Sequence, residues 1–437
     1  MIGLSLENKL ALIPRGEFDP QINERHIMIL RKRSLAIALV AAVAATGMIV
    51  APSNAATSAA KVVTIWSGTA SAKDDEQTPI IAAWAKSQGI TINVVYKKDV
   101  RNEFIKAVPE GKGPDLLVGA HDWTGTLVGS GTLAPIVVGS LAGQFSKDML
   151  SGFTIGGKLY GMPIYTENIA LIWNKRDGKD PKGMSIADLI ASKPGLAMPI
   201  QKAATNGDPY HLSSFASSFG LNLYTRDNSG WTKKLGYGLS GSTDYANWLV
   251  ANGPKLVATD GWDKSACHIQ SGGYAISGPW MYNHVQDTIS GCASKPLTKD
   301  QVGVANIPSA GGKTVHQFSG VYGYWQSVKV ARQANAISVG RVLRYVGSPE
   351  FQLAYQLKAN NIPANKVAAS QVKDANLAAF AAAGANAYPM PAWVFQDTVW
   401  AKLGQAEKAL YEGTYTGDAG DFLRKAVASL QTTIDAS

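Results

Sequence analysis

The side chains with the clearest chemical use stand in one short stretch, Ile276-Ser-Gly-Pro-Trp-Met-Tyr-Asn283. An apolar, strand-like run over Tyr274–Ile276 stops at Gly278-Pro279. A turn there is expected to present Trp280, and Tyr282 two residues on, at a rim and not in a core. A flat indole at a rim suits stacking against a ligand, or packing on its own lobe, and this stretch leaves both open. Acid–base chemistry has thinner support. Asp122 and Glu167 are carboxylates that a glycoside-cleaving pair would use. No Gly-x-Ser-x-Gly elbow accompanies them, and the six histidines show no His-x-x-x-His spacing. Neither enzymatic activity nor a cofactor or metal is expected. Cys267 and Cys292 are the only cysteines. Outside the cytoplasm they are expected to pair, closing a loop around the Gly-Pro-Trp segment with roughly 3 kcal/mol of stabilisation. Two buried thiols are the alternative.

The elements that must position these groups follow from the pattern of apolar residues. Lys61–Trp66 and Ile90–Tyr96 read as strands, with a helix over Pro79–Ser87 between them that Gly89 ends. A helix over Val100–Val108 and a buried strand after Gly113-Pro114-Asp115 complete a strand–helix alternation. That alternation predicts a mainly parallel sheet. Ligands of such sheets sit beyond the carboxyl ends of the strands, here Trp66, Tyr96 and Asp122–Trp123. Glu167 stands between two apolar runs, a place where a charge usually faces solvent. Ser185 with Asp188 predicts a capped helix, and the chain beyond Arg332 is predicted mostly helical.

The 437 residues ask for two or three domains, and 46% apolar with 17% charged residues is a globular composition. The net charge of +9 comes from scattered Lys and Arg, with no basic stripe for a nucleic acid. Arg31-Lys-Arg33, the apolar run Leu35–Val50 and the small residues Ala51–Ala56 have the order of a secretion signal. Residues 1–56 are therefore read as a signal region cleaved after Ala55, with Met28 as the natural start and residues 1–27 as a start-site artefact. No cysteine lies near the cleavage site, so no lipid anchor is expected. The mature chain is placed outside the cytoplasm, in a periplasm, at the cell envelope or secreted.

From Val62 onward the chain resembles the maltose/maltodextrin-binding proteins, the substrate-capture components of ABC sugar importers. The resemblance rests on Gly-Pro-Asp-Leu-Leu-Val-Gly-Ala-His-Asp (113–122), Gly-Lys-Leu-Tyr-Gly-Met-Pro-Ile (157–164) and Glu-Asn-Ile-Ala-Leu-Ile-Trp-Asn-Lys (167–175). Ile-Ser-Gly-Pro-Trp (276–280), Ser-Gly-Val (319–321) and Met390-Pro with Trp400 downstream also match, in the same order. It implies an α/β, two-lobed periplasmic-binding fold of type II, with 61–166 and 319–369 in one lobe and 167–318 and 370–437 in the other. The lobes would hinge shut on maltose or a malto-oligosaccharide and deliver it, from a monomer, to the membrane subunits of an ABC permease. It further implies ligand contacts from Asp122, Glu167, Asp208, Tyr210, Trp280, Met390 and Trp400. Trp123 stands where the family carries Arg, and is expected to stack. The family's Asp-Lys pair after the first strand is missing. Its loop begins here at Ser67, which with Tyr282 joins the expected contacts. A different oligosaccharide, or a glycerol-phosphate-type solute drawn by the basic charge, is the alternative cargo.

Overall fold

The computed structural model describes residues 61–437 except 70, 199, 201–206, 228, 229, 260 and 414. The expected signal region lies outside the described residues. Two sheets organise the chain. In the first, Val62–Ser67 pairs in parallel with Thr91–Tyr96 and Leu116–Ala120. The helices Gln77–Ser87 and Val100–Ala107 make the connections. That part is the predicted alternation. Beyond it the sheet turns antiparallel, because Phe318–Gln326 and Gly161–Asn168 are passages to and from the other half of the molecule. Phe318–Gln326 lies between Leu116–Ala120 and Gly161–Asn168, antiparallel to both.

The second sheet runs Val257–Ala258, Leu196–Met198, Tyr274–Ser277, Ala170–Asn174, Val302–Ala305. It too is mixed: Tyr274–Ser277 is parallel to Leu196–Met198 and antiparallel to Ala170–Asn174. Each sheet buries its own apolar side chains. Val63, Ile65, Leu116, Phe351 and Val342 belong to the core of the first. Leu171, Leu196, Ile276, Phe215 and Leu403 belong to that of the second.

The halves meet where the chain passes between them. Gly161–Asn168 leads through Ile169 into Ala170–Asn174. Thr166 Oγ1 lies 2.9 Å from Ser319 Oγ and donates to the Gly320 carbonyl, tying this passage to the next. The Gln317 amide donates to the carbonyls of Ile169 and Ala383, and Asn168 donates to that of Phe380. These side-chain hydrogen bonds hold the two passages together and tie them to the helix Ala375–Ala383.

Local signals acted as expected at several places. Ser185 and Asp188 form a reciprocal capping box on Ile186–Ala191. The helices Pro349–Ala359 and Ala419–Asp435 lie in the stretch beyond Arg332 predicted mostly helical. Leu196–Met198, the hairpin Tyr224–Asp227/Gly230–Leu235 and the helix Trp262–Gln270 carry no such signal. The first is too short to alternate, and the helix Trp262–Gln270 buries Ser265 and Gln270 beside Ala266 and Ile269, a face of mixed polarity.

Candidate functional site

A cavity of about 770 Å³ opens between the two halves, and a second of about 650 Å³ adjoins it. Strand Leu116–Ala120 ends in a short turn, His121–Trp123, which brings Asp122 to the wall of both. His121 beneath it is buried, and burial holds its imidazole below the ordinary value. The Val321 N–H donates to Nδ1 at 3.1 Å, so this neutral ring ties the turn to the returning strand. Asp122 accepts the indole N–H of Trp400 at 3.2 Å.

Glu167 lines the larger cavity. It does not face open solvent, as a lone charge between apolar runs ordinarily would. Its register partner is Gly320, where an added Cβ would fall within 2.8 Å of Glu167 Cγ. Glycine there is what lets the acid lie across the strand. Burial pushes the carboxyl up to about 8, so at neutral pH it holds a proton and can donate as well as accept. Tyr165 and Tyr322 stack beside it at 4.8 Å and 10° and line both cavities.

From the second half come the aromatic faces. Asp208 caps helix Pro209–Ser218, accepting the His211 N–H at 3.1 Å; its other oxygen lies 2.7 Å from His211 Nδ1. A carboxylate only accepts, so Nδ1–H donates and Nε2 is the remaining ring nitrogen. Tyr210 stands next, its phenol held protonated by burial. Trp280 lies 6.4 Å from Tyr210 and 6.2 Å from His211, between their rings and Trp262. A Cβ on Gly278 would come within 2.2 Å of the Trp280 ring, which is why Gly precedes Pro-Trp. Met390 and half-buried Trp400 complete the wall, with Phe318 edge-on to Trp400 at 5.4 Å. Tyr210 Oη, His211 Nε2 and Ser277 Oγ, all on residues of this wall, have no hydrogen-bond partner among the described residues.

One expected position differs from its reading, and two more, Trp123 and Ser67, stand in the wall of the smaller cavity. Tyr282 is not at the rim: it is fully buried and its hydroxyl donates to Asp374 at 3.0 Å. The residues after Gly278 form a helix, Pro279–His284, not a turn. Two residues along a helix rotate a side chain by about 200°, so Trp280 and Tyr282 take opposite faces. Trp123 borders the smaller cavity, but its ring packs against Trp325 at 6.0 Å and 14° with the Arg101 guanidinium 5.6 Å away. Ser67 also borders the smaller cavity and donates within its own loop, to Thr69 Oγ1. Asp75, in the same loop, is committed to structure, accepting the N–H groups of Gln77 and Thr78 and the Tyr96 hydroxyl.

The reading of the sequence passed over Tyr165, Tyr322, His211, Trp262, Arg101 and Asp397, all in the wall of the larger cavity. The neighbours of Gly320 and Glu167 carried a usable hint, since aromatic residues two apart on crossover strands share a face. Arg101 and Asp397 carried none, because their partners are 296 residues away in sequence. The expected cysteine pairing is present: Cys267, on helix Trp262–Gln270, is joined to Cys292.

A family model described as bacterial extracellular solute-binding protein matches residues 80–386. A maltotriose-binding protein of Pyrococcus abyssi is 26% identical over 254 residues, which are 53% of this chain and 54% of that protein. The chain thus spans about half the length of that relative. The maltodextrin-binding protein MdxE of Bacillus subtilis is 25% identical over 361 residues, 78% of this chain and 82% of its own. The structure of the Thermus thermophilus maltotriose-binding protein bound with maltotriose superposes with a TM-score of 0.71 at 21% identity. It covers 85% of this chain and all of the other. A cyclo/maltodextrin-binding protein complexed with maltotetraose gives a TM-score of 0.68 at 23% identity, over 86% and 97%.

Proposed function

Since the chain belongs to the bacterial extracellular solute-binding proteins, we propose that its cargo is a malto-oligosaccharide, captured between the two halves outside the cytoplasm and handed to an ABC importer. The observation that carries this is the composition of one wall. Trp280 and Trp400 offer apolar faces around a cavity where Tyr210 Oη, His211 Nε2 and Ser277 Oγ have no protein partner. A sugar needs both, a flat surface for its C–H face and a partner for each hydroxyl once water leaves. Asp122 and Asp208 serve as acceptors in this reading, and Glu167, protonated at neutral pH, serves as donor or acceptor. The relatives' names, maltotriose-binding and maltodextrin-binding, support the same cargo class.

The wall's charge argues against a phosphodiester. Asp122, Asp208 and Asp397 line the cavity against one guanidinium among the described residues, Arg101, which is already paired. The basic charge of the chain as a whole is not concentrated at the cleft. Calorimetric titration of maltotriose into the wild type and Trp280→Ala tests the reading. Saturable binding is expected, weakened by roughly 1–3 kcal/mol in the variant, with the trisaccharide recovered intact. Equal affinity in both proteins would return Trp280 to a packing role. Heat-silent titrations across a panel of glucans would remove the cargo class.

A further inference from the structure

We propose that the Arg101–Asp397 ion pair is a length gate. It divides the cleft in two, and the preferred chain length of the cargo follows from whether the ligand leaves the pair closed. The inference rests on the oligosaccharide reading above. Arg101 belongs to helix Val100–Ala107 in the first half, and Asp397 to the first turn of Gln396–Tyr411, packed on the second. Arg101 Nη1 donates to Asp397 Oδ1 at 2.8 Å, and Thr126 Oγ1 donates to Oδ2 at 3.1 Å. Beside them Trp400 donates to Asp122. Arg101, Asp122, Asp397 and Trp400 line both cavities. These two contacts therefore stand in the wall between the chambers.

Each chamber alone, about 770 Å³ and 650 Å³, lies within the roughly 300–1,000 Å³ of a complete small-molecule site. The smaller one is also furnished for hydroxyl groups, by Ser67, Thr69, Gln77, Lys98 and Asp99. A short chain fills the first chamber with the pair intact. A longer chain has to pass between Arg101 and Asp397. Both partners keep part of their side chains exposed, 25% and 40%, and pairs of that exposure shift an equilibrium by only a few-fold. The barrier is thus soft. Once parted, guanidinium and carboxylate are themselves hydroxyl partners, the former held over the Trp123 ring and the latter by Thr126.

The test compares maltotriose with maltohexaose by calorimetry on the wild type, Asp397→Asn and Arg101→Gln. The affinity ratio, hexaose over triose, is expected to rise about twofold to fivefold in both variants. Added salt is expected to raise that ratio in the wild type and to leave it unmoved in the variants, a response that a packing role does not give. A ratio unchanged in both variants overturns the gate. A wild type that binds neither sugar overturns the cargo reading instead, so the two failures are distinct.

Discussion

Glu407 is a buried acid that the cleft does not use. It lies on helix Gln396–Tyr411, two turns beyond Trp400, and accepts the Tyr245 hydroxyl at 2.7 Å. Burial pushes its carboxyl up to about 8, against the opposing effect of the tyrosine donors. An exposed glutamate in the unfolded chain titrates near 4.3. Below that value both states hold the proton and pH has no leverage through this group. Between about 4.3 and 8 the unfolded chain gives up the proton and the folded one keeps it, so stability falls as pH rises. Above 8 the loss is complete, on the order of 5 kcal/mol. Glu407→Gln keeps an acceptor for Tyr245 and removes the titration. Urea unfolding of the variant is expected to show a higher midpoint than the wild type at pH 8 and a similar one at pH 5. The same offset at both pH values would mean that Glu407 is not protonated in the folded protein. Glu167, shifted likewise, adds a parallel slope that the variant retains.

Among the elements, the segment between Cys267 and Cys292 carries the indole platform into the middle of the second sheet. It holds the end of helix Trp262–Gln270, strand Tyr274–Ser277 and helix Pro279–His284, and so both Trp280 and the scaffold beneath Trp262. Cross-linking a loop of this length stabilises by about 3 kcal/mol in the chain-entropy model. Replacing both cysteines by serine is expected to cost about that much in urea unfolding and to weaken maltotriose binding, because the indole platform loses its tether. Stability reduced at full affinity would confine the disulfide to folding. This segment also marks the limit of what the sequence made legible. The stop at Gly278-Pro279 and the exposure of Trp280 follow from residue types alone. The inward turn of Tyr282 does not, since a six-residue helix is too short to announce a change of period from 2 to 3.6. Trp262, 54% exposed at the lip, opens a helix whose buried residues are Ser265, Ala266, Ile269 and Gln270 and do not include it. The strand–helix order of the first half and the Ser185 cap were legible because their partners lie within a few residues. Arg101–Asp397 and Glu167–Gly320 are made by the tertiary fold, and only the fold shows them.

For the whole molecule, the contacts across the cleft and those in the hinge differ in kind. The hinge is held by buried or half-buried side chains, Asn168, Thr166 and Gln317, bonded to backbone of the neighbouring passage and of the helix Ala375–Ala383. Across the mouth stand the Arg101–Asp397 pair and the Trp400–Asp122 bond, exposed enough to contribute about 1 kcal/mol or less each. Closure without ligand is therefore marginal, and a ligand that touches both walls decides it. One half supplies Asp122 and Glu167; Asp208, Tyr210 and Trp280 come from the other. Only the protein with both halves folded offers the complete site, so binding has to stabilise both together. At a ligand concentration a hundred times the dissociation constant, mass action adds about 2.7 kcal/mol. That corresponds to a rise of roughly 5 °C or more in the melting temperature. Scanning calorimetry with saturating maltotriose is expected to move the entire heat-absorption profile upward, and X-ray scattering to show a smaller radius of gyration with sugar than without. A profile in which only part of the transition moves, with an unchanged radius, would place the ligand on one half alone, and capture by closure would have to be abandoned.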